Sequence, residues 1–497
     1  VRDFWKRLLS GKGGSRFLCL GTAMKPPDQQ LPFSFARFVG SLVLLVPGGL
    51  LAQQPREAAA SNAFRIEITT NHTGGRYAVG EPATFSIRAF DGTHPLDTGS
   101  VDCSLSADGY SVLESSTLGI TGRPLEMRGL LEKPGFLRCE VILHGAGERE
   151  LAKGVVAAAY APEEIPPSRF VPPDFDAFWE EQRDRLAEVP LEAELRPMTQ
   201  GGNEKADVFD LRVKCLGGAP VSGYLARPKR AGARSLPAVI WTHGAGVRSA
   251  SLEQALLGAR EGFLSLDLNA HGIANGQPEA FYKELELGPL QGYPAQGREN
   301  RDGSYFRGMY LRLIRAVDFM AAQPEWDGKT LAVVGHSQGG GQALAAGGLD
   351  PRVTFIAAGV PAMCDHTGMI RRRISGWPKL VPLLSDGKAE PIVAEVSRYF
   401  DAVNLASRCQ AEALLSVGWI DSTCPPTSVY AAYNQLRGPK QMLDRPAMGH
   451  AAPPDIQTAF LEALKRHAAR TEVSTLPVGP KKNPPTLLKV KTSKPKV

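Results

Sequence analysis

The sequence predicts an α/β fold class, a mostly parallel and doubly wound sheet, preceded by a small all-β sandwich. Three observations carry this. Between about residues 206 and 470, short apolar runs alternate with longer stretches of helical period. Runs such as AVIWT (238–242) and LAVVG (331–335) are apolar without alternation, which suits strands covered on both faces. Residues 62–160 instead hold short runs of alternating polarity separated by Gly, Pro, Asn and Asp, the spacing of a β-sandwich.

Residues 1–52 read as a leader. The run FVGSLVLLVPGGLLA (38–52) follows Lys25 and Arg37 and is broken by Pro47-Gly48-Gly49. It falls short of the roughly 20 apolar residues that a helical span needs. It reads as a secretory signal cleaved near Ala52, with Met24 as an alternative start, and the rival reading is a buried or anchoring segment. Cysteine is absent from the cleavage point, which argues against a lipoprotein. The expectation is a secreted or periplasmic protein with no stable membrane span after signal removal.

Residues 62–160 contain FRIEITT, ATFSIRAF, VDCSLSA, FLRCEVIL and GVVAAAYA as strands, immunoglobulin-like in size. Cys103 and Cys139 fall in two of them and suit either an inter-sheet disulfide or two separate buried thiols. This segment offers no catalytic pattern. A spacer, an oligomerisation piece and a carbohydrate-binding module all remain open.

A proline-rich linker at 162–167 leads into the body, residues 165–470. Asp174 is placed to cap a helix running to about Leu186. VFDLRVKCL, VSGYLARP and AVIWT follow as strands. Helices are expected over Leu252–Glu261, Phe306–Gln323 and Ile456–Arg470, and strands over Phe263–Leu268, Leu331–Gly335, Val353–Val360 and Ala413–Val417. The Lys/Pro-rich tail, 471–497, lacks periodicity and is expected to be disordered. The net charge of +6 is concentrated at the ends: residues 1–23 carry +4 and 471–497 carry +5, leaving −3 between them. A mildly acidic body offers no basic platform for nucleic acid.

The chemistry centres on Gly335-His336-Ser337-Gln338-Gly339, lying between a strand and a helix. This is the context of a nucleophile elbow, in which a serine sits on a sharp turn with small flanking residues. A serine hydroxyl needs a histidine to take its proton and a carboxylate to fix that histidine's tautomer. In the α/β-hydrolase fold these follow in the order Ser, Asp, His. Asp421 stands after the strand ALLSV, and His450 lies in a loop before the last helix. Asp365, after the preceding strand, is the rival acid. His467 is read as solvated on the terminal helix, His336 as pointing away from the serine, and His243 and His271 as orienting loops. An oxyanion hole calls for backbone donors, and the candidates are the amides of Gln338 and of Ala245 in the His243–Gly246 turn. Histidine pairs at metal-ligand spacing and C-x-x-C pairs are both missing from the sequence, so neither a metal nor a cofactor is implied.

These segments together resemble the acetyl xylan esterase / cephalosporin C deacetylase family, carbohydrate esterase family 7. The matching pieces are PPDFDAFW (172–179), His243-Gly244, SQGGGQALAA (337–346), YFDAVNLA (399–406), VGWIDSTCPP (417–426), AAYNQLRGPK (431–440) and the His450 loop. The resemblance implies deacetylation of acetylated sugars or oligosaccharides, with Ser337, Asp421 and His450 as the triad and the Ala245 and Gln338 amides as the oxyanion hole. It also implies a pocket for small acyl groups and a homo-oligomer. The chain departs from the family at Ala245, where a tyrosine is common, at His336, where glycine is common, and at His271-Gly272, where an arginine-glycine pair is common. The first reading is therefore a secreted serine esterase. A peptidase or hydrolase of larger esters is the alternative on the same fold, and a non-catalytic surface polysaccharide-binding protein is the alternative outside enzymes.

Overall fold

The computed structural model describes residues 64–145, 147, 149–198, 205–473 and 489–492. The leader, with its expected signal, lies outside the described residues. Among them, no helix is long and apolar enough to cross a membrane. Residues 63–497 form one unit that holds both the N-terminal sheets and the α/β body.

The N-terminal strands are β1 (Phe64–Thr70), β2 (Arg76–Tyr77), β3 (Ala83–Asp91), β4 (His94–Pro95), β5 (Ser100–Ala107), β6 (Ser111–Gly119), β7 (Leu125–Gly129), β8 (Gly135–His144) and β9 (Glu150–Tyr160). They make one sheet in the order β1-β3-β4, with β7 also on β3, and a second in the order β2-β9-β8-β5-β6. Alternation does the sorting: along β3, Ala83, Phe85 and Ile87 are buried while Thr84, Ser86 and Arg88 are not. These inward residues meet Leu137, Cys139 and Val141 of β8 in one apolar core.

That core corrects the inter-sheet disulfide. β5 and β8 are neighbours in the same sheet, with Cys103 opposite Val141 and Cys139 opposite Leu105. Both cysteines are free and buried. Burial pushes the Cys103 thiol up to about 11 and the Cys139 thiol up to about 12.

The body begins with α1 (Phe175–Ala187), β10 (Glu192–Pro197), β11 (Ala206–Val213), β12 (Val221–Pro228), β13 (Leu236–Thr242), α2 (Leu252–Arg260) and β14 (Leu264–Leu268). It continues with α3 (Glu279–Leu287), α4 (Tyr305–Ala321), β15 (Trp326–His336), α5 (Gln338–Leu349), β16 (Phe355–Gly359), α6 (Pro391–Ser397) and α7 (Ala402–Ala406). It ends with β17 (Glu412–Gly418), α8 (Pro426–Tyr433), β18 (Lys440–Arg445), α9 (Pro454–Val473) and β19 (Lys489–Thr492). The strands form one mixed sheet in the order β18-β17-β16-β15-β13-β14-β12-β11-β10-β19. The run from β14 to β18 is parallel, and the run from β10 through β12 to β14 is antiparallel.

The parallel strands are buried on both faces, which explains their unpatterned sequences. Ile240, Val333 and Ile356 face a core with α4 and α5, whereas Trp241, Val334 and Phe355 face Ile456, Phe460 and Leu464 of α9. The sheet is thus doubly wound, the α/β-hydrolase arrangement.

Three local expectations need correction. Asp174 precedes α1 but its side chain makes no cap; it accepts instead from Arg301 Nη1 at 2.7 Å and from the Tyr399 hydroxyl. A charged partner outcompetes the helix amides for that carboxylate. His467 is buried rather than solvated, with Nδ1 2.7 Å from Glu412 and Nε2 3.1 Å from Thr354. Its face of α9 lies against the sheet. In the tail expected to be disordered, Lys489–Thr492 pair in parallel with β10, whose outer backbone edge supplies partners that composition does not reveal.

Candidate active site

The elbow is formed where β15 ends and α5 begins. Ser337 has φ 55 and ψ −122, a region that non-glycine residues rarely adopt, costing of order 1–3 kcal/mol. The surroundings hold it there. Ser337 N–H donates to Gly359 O at 2.8 Å, and Ser337 O accepts from Gly341 N–H at 3.0 Å and Ala362 N–H at 2.9 Å. A Cβ on Gly335 or Gly339 would collide with Thr242 at the end of β13, so only glycine permits this approach.

β17 ends at Gly418 and the chain turns through Asp421 before α8. Asp421 is buried, and its Oδ1 accepts from the amides of Thr423 at 2.8 Å and Cys424 at 2.9 Å. That leaves Oδ2 for His450, whose Nδ1 lies 2.8 Å away. Nε2 of the same ring lies 2.9 Å from Ser337 Oγ. Glycine again permits the approach of the two loops, since a Cβ on Gly418 would collide with the carbonyls of Met448 and Gly449. The imidazole keeps 28% side-chain exposure while the Asp421 side chain has 0%, so one ring edge faces the site mouth and the other a dry carboxylate.

The turn after β13 lies beside the serine. Its carbonyls have partners: Gly244 O accepts from His243 Nδ1 at 2.7 Å and Arg248 Nη2 at 3.0 Å, Ala245 O from Arg248 Nη1 at 3.3 Å, and Gly246 O from His271 Nε2 at 3.1 Å. Holding these carbonyls sets the orientation of the peptide planes, including that of the Ala245 amide. Burial pushes His243 down to about 4 and His271 down to about 3, so both rings stay neutral. Gln338 begins α5, and its side chain accepts from the Tyr293 hydroxyl.

The structure brings Ser337, Asp421 and His450 into one hydrogen-bonded chain. It does not bring Asp365 there: that carboxylate pairs with Arg373 Nη2 at 2.7 Å and accepts from Ser168 N–H at 2.8 Å. His336 stacks on Phe460 with ring centroids 5.1 Å apart. Sequence reasoning missed Arg248, Tyr293 and Cys424. The first two have no motif to betray them. Cys424 belongs to no C-x-x-C pair, yet its Sγ lies with ligand atoms of Asp421 and His450 inside a 4.8 Å group. Burial pushes that thiol up, and Asp421 and His450 already bind each other.

The fold is that of an α/β-hydrolase, and its sheet brings Ser337, His450 and Asp421 within hydrogen-bond reach of one another. Residues 163–466 match the acetyl xylan esterase (AXE1) family. The chain is 31% identical over 332 residues to the acetyl esterase Axe7A of Xylanibacter ruminicola, covering 66% of this chain and 74% of that protein. The acetyl xylan esterase from Paenibacillus sp. R4 superposes with a TM-score of 0.54 at 28% identity, over 61% of this chain and 98% of that one. Acetyl xylan esterase 1 from Thermoanaerobacterium sp. JW/SL YS485 gives 0.53 at 26%, over 61% and 97%. The protein belongs to the acetyl xylan esterase family and is a carboxylic ester hydrolase.

Proposed function

We propose that the protein removes acetyl groups from acetylated carbohydrate through an acetyl-enzyme on Ser337. The observation that carries this reading is the single imidazole of His450 bonded to both Ser337 Oγ and Asp421 Oδ2. Ser337 Oγ attacks the acetyl carbonyl carbon as its proton passes to His450 Nε2, and Asp421 stabilises the imidazolium. The oxyanion forms against the amides of Ala245 and Gln338. Collapse breaks the bond to the sugar oxygen, which takes the proton from His450 and leaves. Water then attacks acetyl-Ser337 with the same histidine as base, releasing acetate.

Support for a sugar ester comes from the relatives named for acetyl xylan. Export to the periplasm or medium, and assembly as a homo-oligomer, belong to the same reading and are checked by N-terminal sequencing of exported protein and by light scattering. The testing experiment is acetate release from acetylated xylan, acetylated oligosaccharides and cephalosporin C, by the native enzyme and by Ser337→Ala. Release by the first and none by a folded second is expected. Equal release by both would overturn the reading.

A further inference from the structure

Three parts of the N-terminal sheets converge on the turn that carries Asp421. Arg76 of β2 donates through Nη2 to Asp444 Oδ2 at 2.7 Å and to the Tyr430 hydroxyl at 3.0 Å. Asp444, on β18, also accepts from Trp419 Nε1 at 2.7 Å and from the Tyr430 hydroxyl at 2.8 Å. Phe136 of β8 meets the Trp419 ring edge-on, with centroids 5.7 Å apart, and Arg138 reaches Ile420 O at 3.4 Å. From the β5–β6 turn, Asp108 accepts from the Thr427 hydroxyl in the first turn of α8. Trp419, Ile420 and Thr427 bracket Asp421 on both sides.

The alternation of β8 sets which of its residues face the α/β body. Leu137, Cys139 and Val141 point into the sandwich core, so Phe136 and Arg138 point outward. An outward phenylalanine would ordinarily be exposed, yet Phe136 is buried within the core of the α/β body. Ala157 and Ala159 of β9 join the same core, small enough to let the two layers meet closely. The pairing of β17 with β18 ends at Gly418 and Arg445; beyond it the body gives the turn three single backbone contacts, Trp419 N–H to Arg445 O at 3.2 Å, Ile420 N–H to Met448 O at 3.3 Å and Trp377 N–H to Thr423 O at 2.9 Å, and the N-terminal sheets add side-chain contacts to them. The Asp421 carboxylate is held by the amides of Thr423 and Cys424 in its own turn and by His450.

We propose that this face of the sandwich is a positioning surface for the Asp421 turn, with Arg76, Phe136, Arg138 and Asp108 as positioning residues. The inference rests on the reading of Asp421 as the acid that orients His450. It assigns the N-terminal sheets a part in turnover, acting within the chain rather than on polysaccharide through this covered face. A loosened turn moves the carboxylate relative to His450 Nδ1. The chemical step slows, while a small acyl group binds as before.

The test uses the full chain, with kcat and KM for p-nitrophenyl acetate measured from pH 5 to 9 and active sites counted with a fluorophosphonate. Arg76→Ala and Arg138→Ala are expected to lower kcat per labelled site about tenfold with KM within about twofold. The acidic limb of the kcat profile moves to lower pH, because a weaker carboxylate contact disfavours the imidazolium. Arg76→Lys, which keeps a charged donor to Asp444, recovers most of the loss. Unchanged kcat per labelled site and an unmoved limb in both alanine variants overturn the proposal, whatever happens to their stability. Turnover by Ser337→Ala would instead show that the reading of the site had failed, a result distinct from any behaviour of the arginine variants.

Discussion

Nε2 of His450 stands 2.9 Å from Oγ of Ser337, although the two residues are 113 positions apart in the chain. The contact is made by two loops at the same end of the parallel strands, one leaving β15 and the other leading into α9. It is the geometry from which the expected behaviour of the enzyme follows.

Asp421→Asn keeps an oxygen for the Thr423 and Cys424 amides but puts an amide against His450 Nδ1, favouring the wrong tautomer. We expect kcat to fall by about 10⁴-fold with the fold intact. Asp365→Asn is expected to do the reverse: its buried partner Arg373 loses a counter-charge, costing about 3–5 kcal/mol of stability, while kcat of the folded protein holds. Steady-state kinetics beside urea unfolding separates the two. Loss of kcat in the Asp365 variant alone would transfer the acid's role to that residue.

Arg248 donates to Gly244 O and Ala245 O of the turn after β13. Arg248→Ala frees those peptide planes, and kcat is expected to fall about tenfold, less than the 10²–10³-fold of deleting an oxyanion donor outright. KM for a small acetyl ester should stay within about twofold. A changed KM with kcat intact would place Arg248 in substrate binding instead.

Acid should weaken the fold through His243 and His271. Their folded values, about 4 and about 3, lie below the ordinary histidine value of 6.5. Above 6.5 both the folded and the unfolded chain hold neutral rings, and the stability from these sites is fully present. As pH falls from 6.5 toward 4, the unfolded chain takes up protons that the folded one refuses, and stability drops. Tm is therefore expected to decline over this window, with a shallower slope in His271→Gln. Identical slopes would show that the acid sensitivity arises elsewhere.

Cys103 and Cys139 should be free thiols that are silent in the native state. Alkylation in denaturant without reductant is expected to modify both, whereas the folded protein at pH 8 leaves them untouched, since burial disfavours the thiolate. Peptide mapping that found them joined would contradict their free state.

Much of the site was legible because its chemistry is local. The elbow needs Gly335 and Gly339 within two residues of Ser337, and Asp421 and His450 each follow a readable strand or precede a readable helix. What stayed hidden depends on contacts between distant segments. Strand alternation marks Cys103 and Cys139 as inward-facing but does not say whether their strands share a sheet. His467 reads as polar-faced until the position of Glu412 is known. Asp174 looks like a cap until Arg301 and Tyr399 arrive from other elements. The support that Arg76 and Phe136 give to Trp419 joins positions more than 280 residues apart, which no local pattern encodes.

The most direct measurement is covalent: a fluorophosphonate reacts with the full-length enzyme, and the labelled peptide is identified by mass spectrometry. A single phosphonyl adduct on Ser337, forming in step with loss of esterase activity, is the expected result. Complete inactivation with Ser337 unmodified, or full labelling of Ser337 with activity retained, would contradict it.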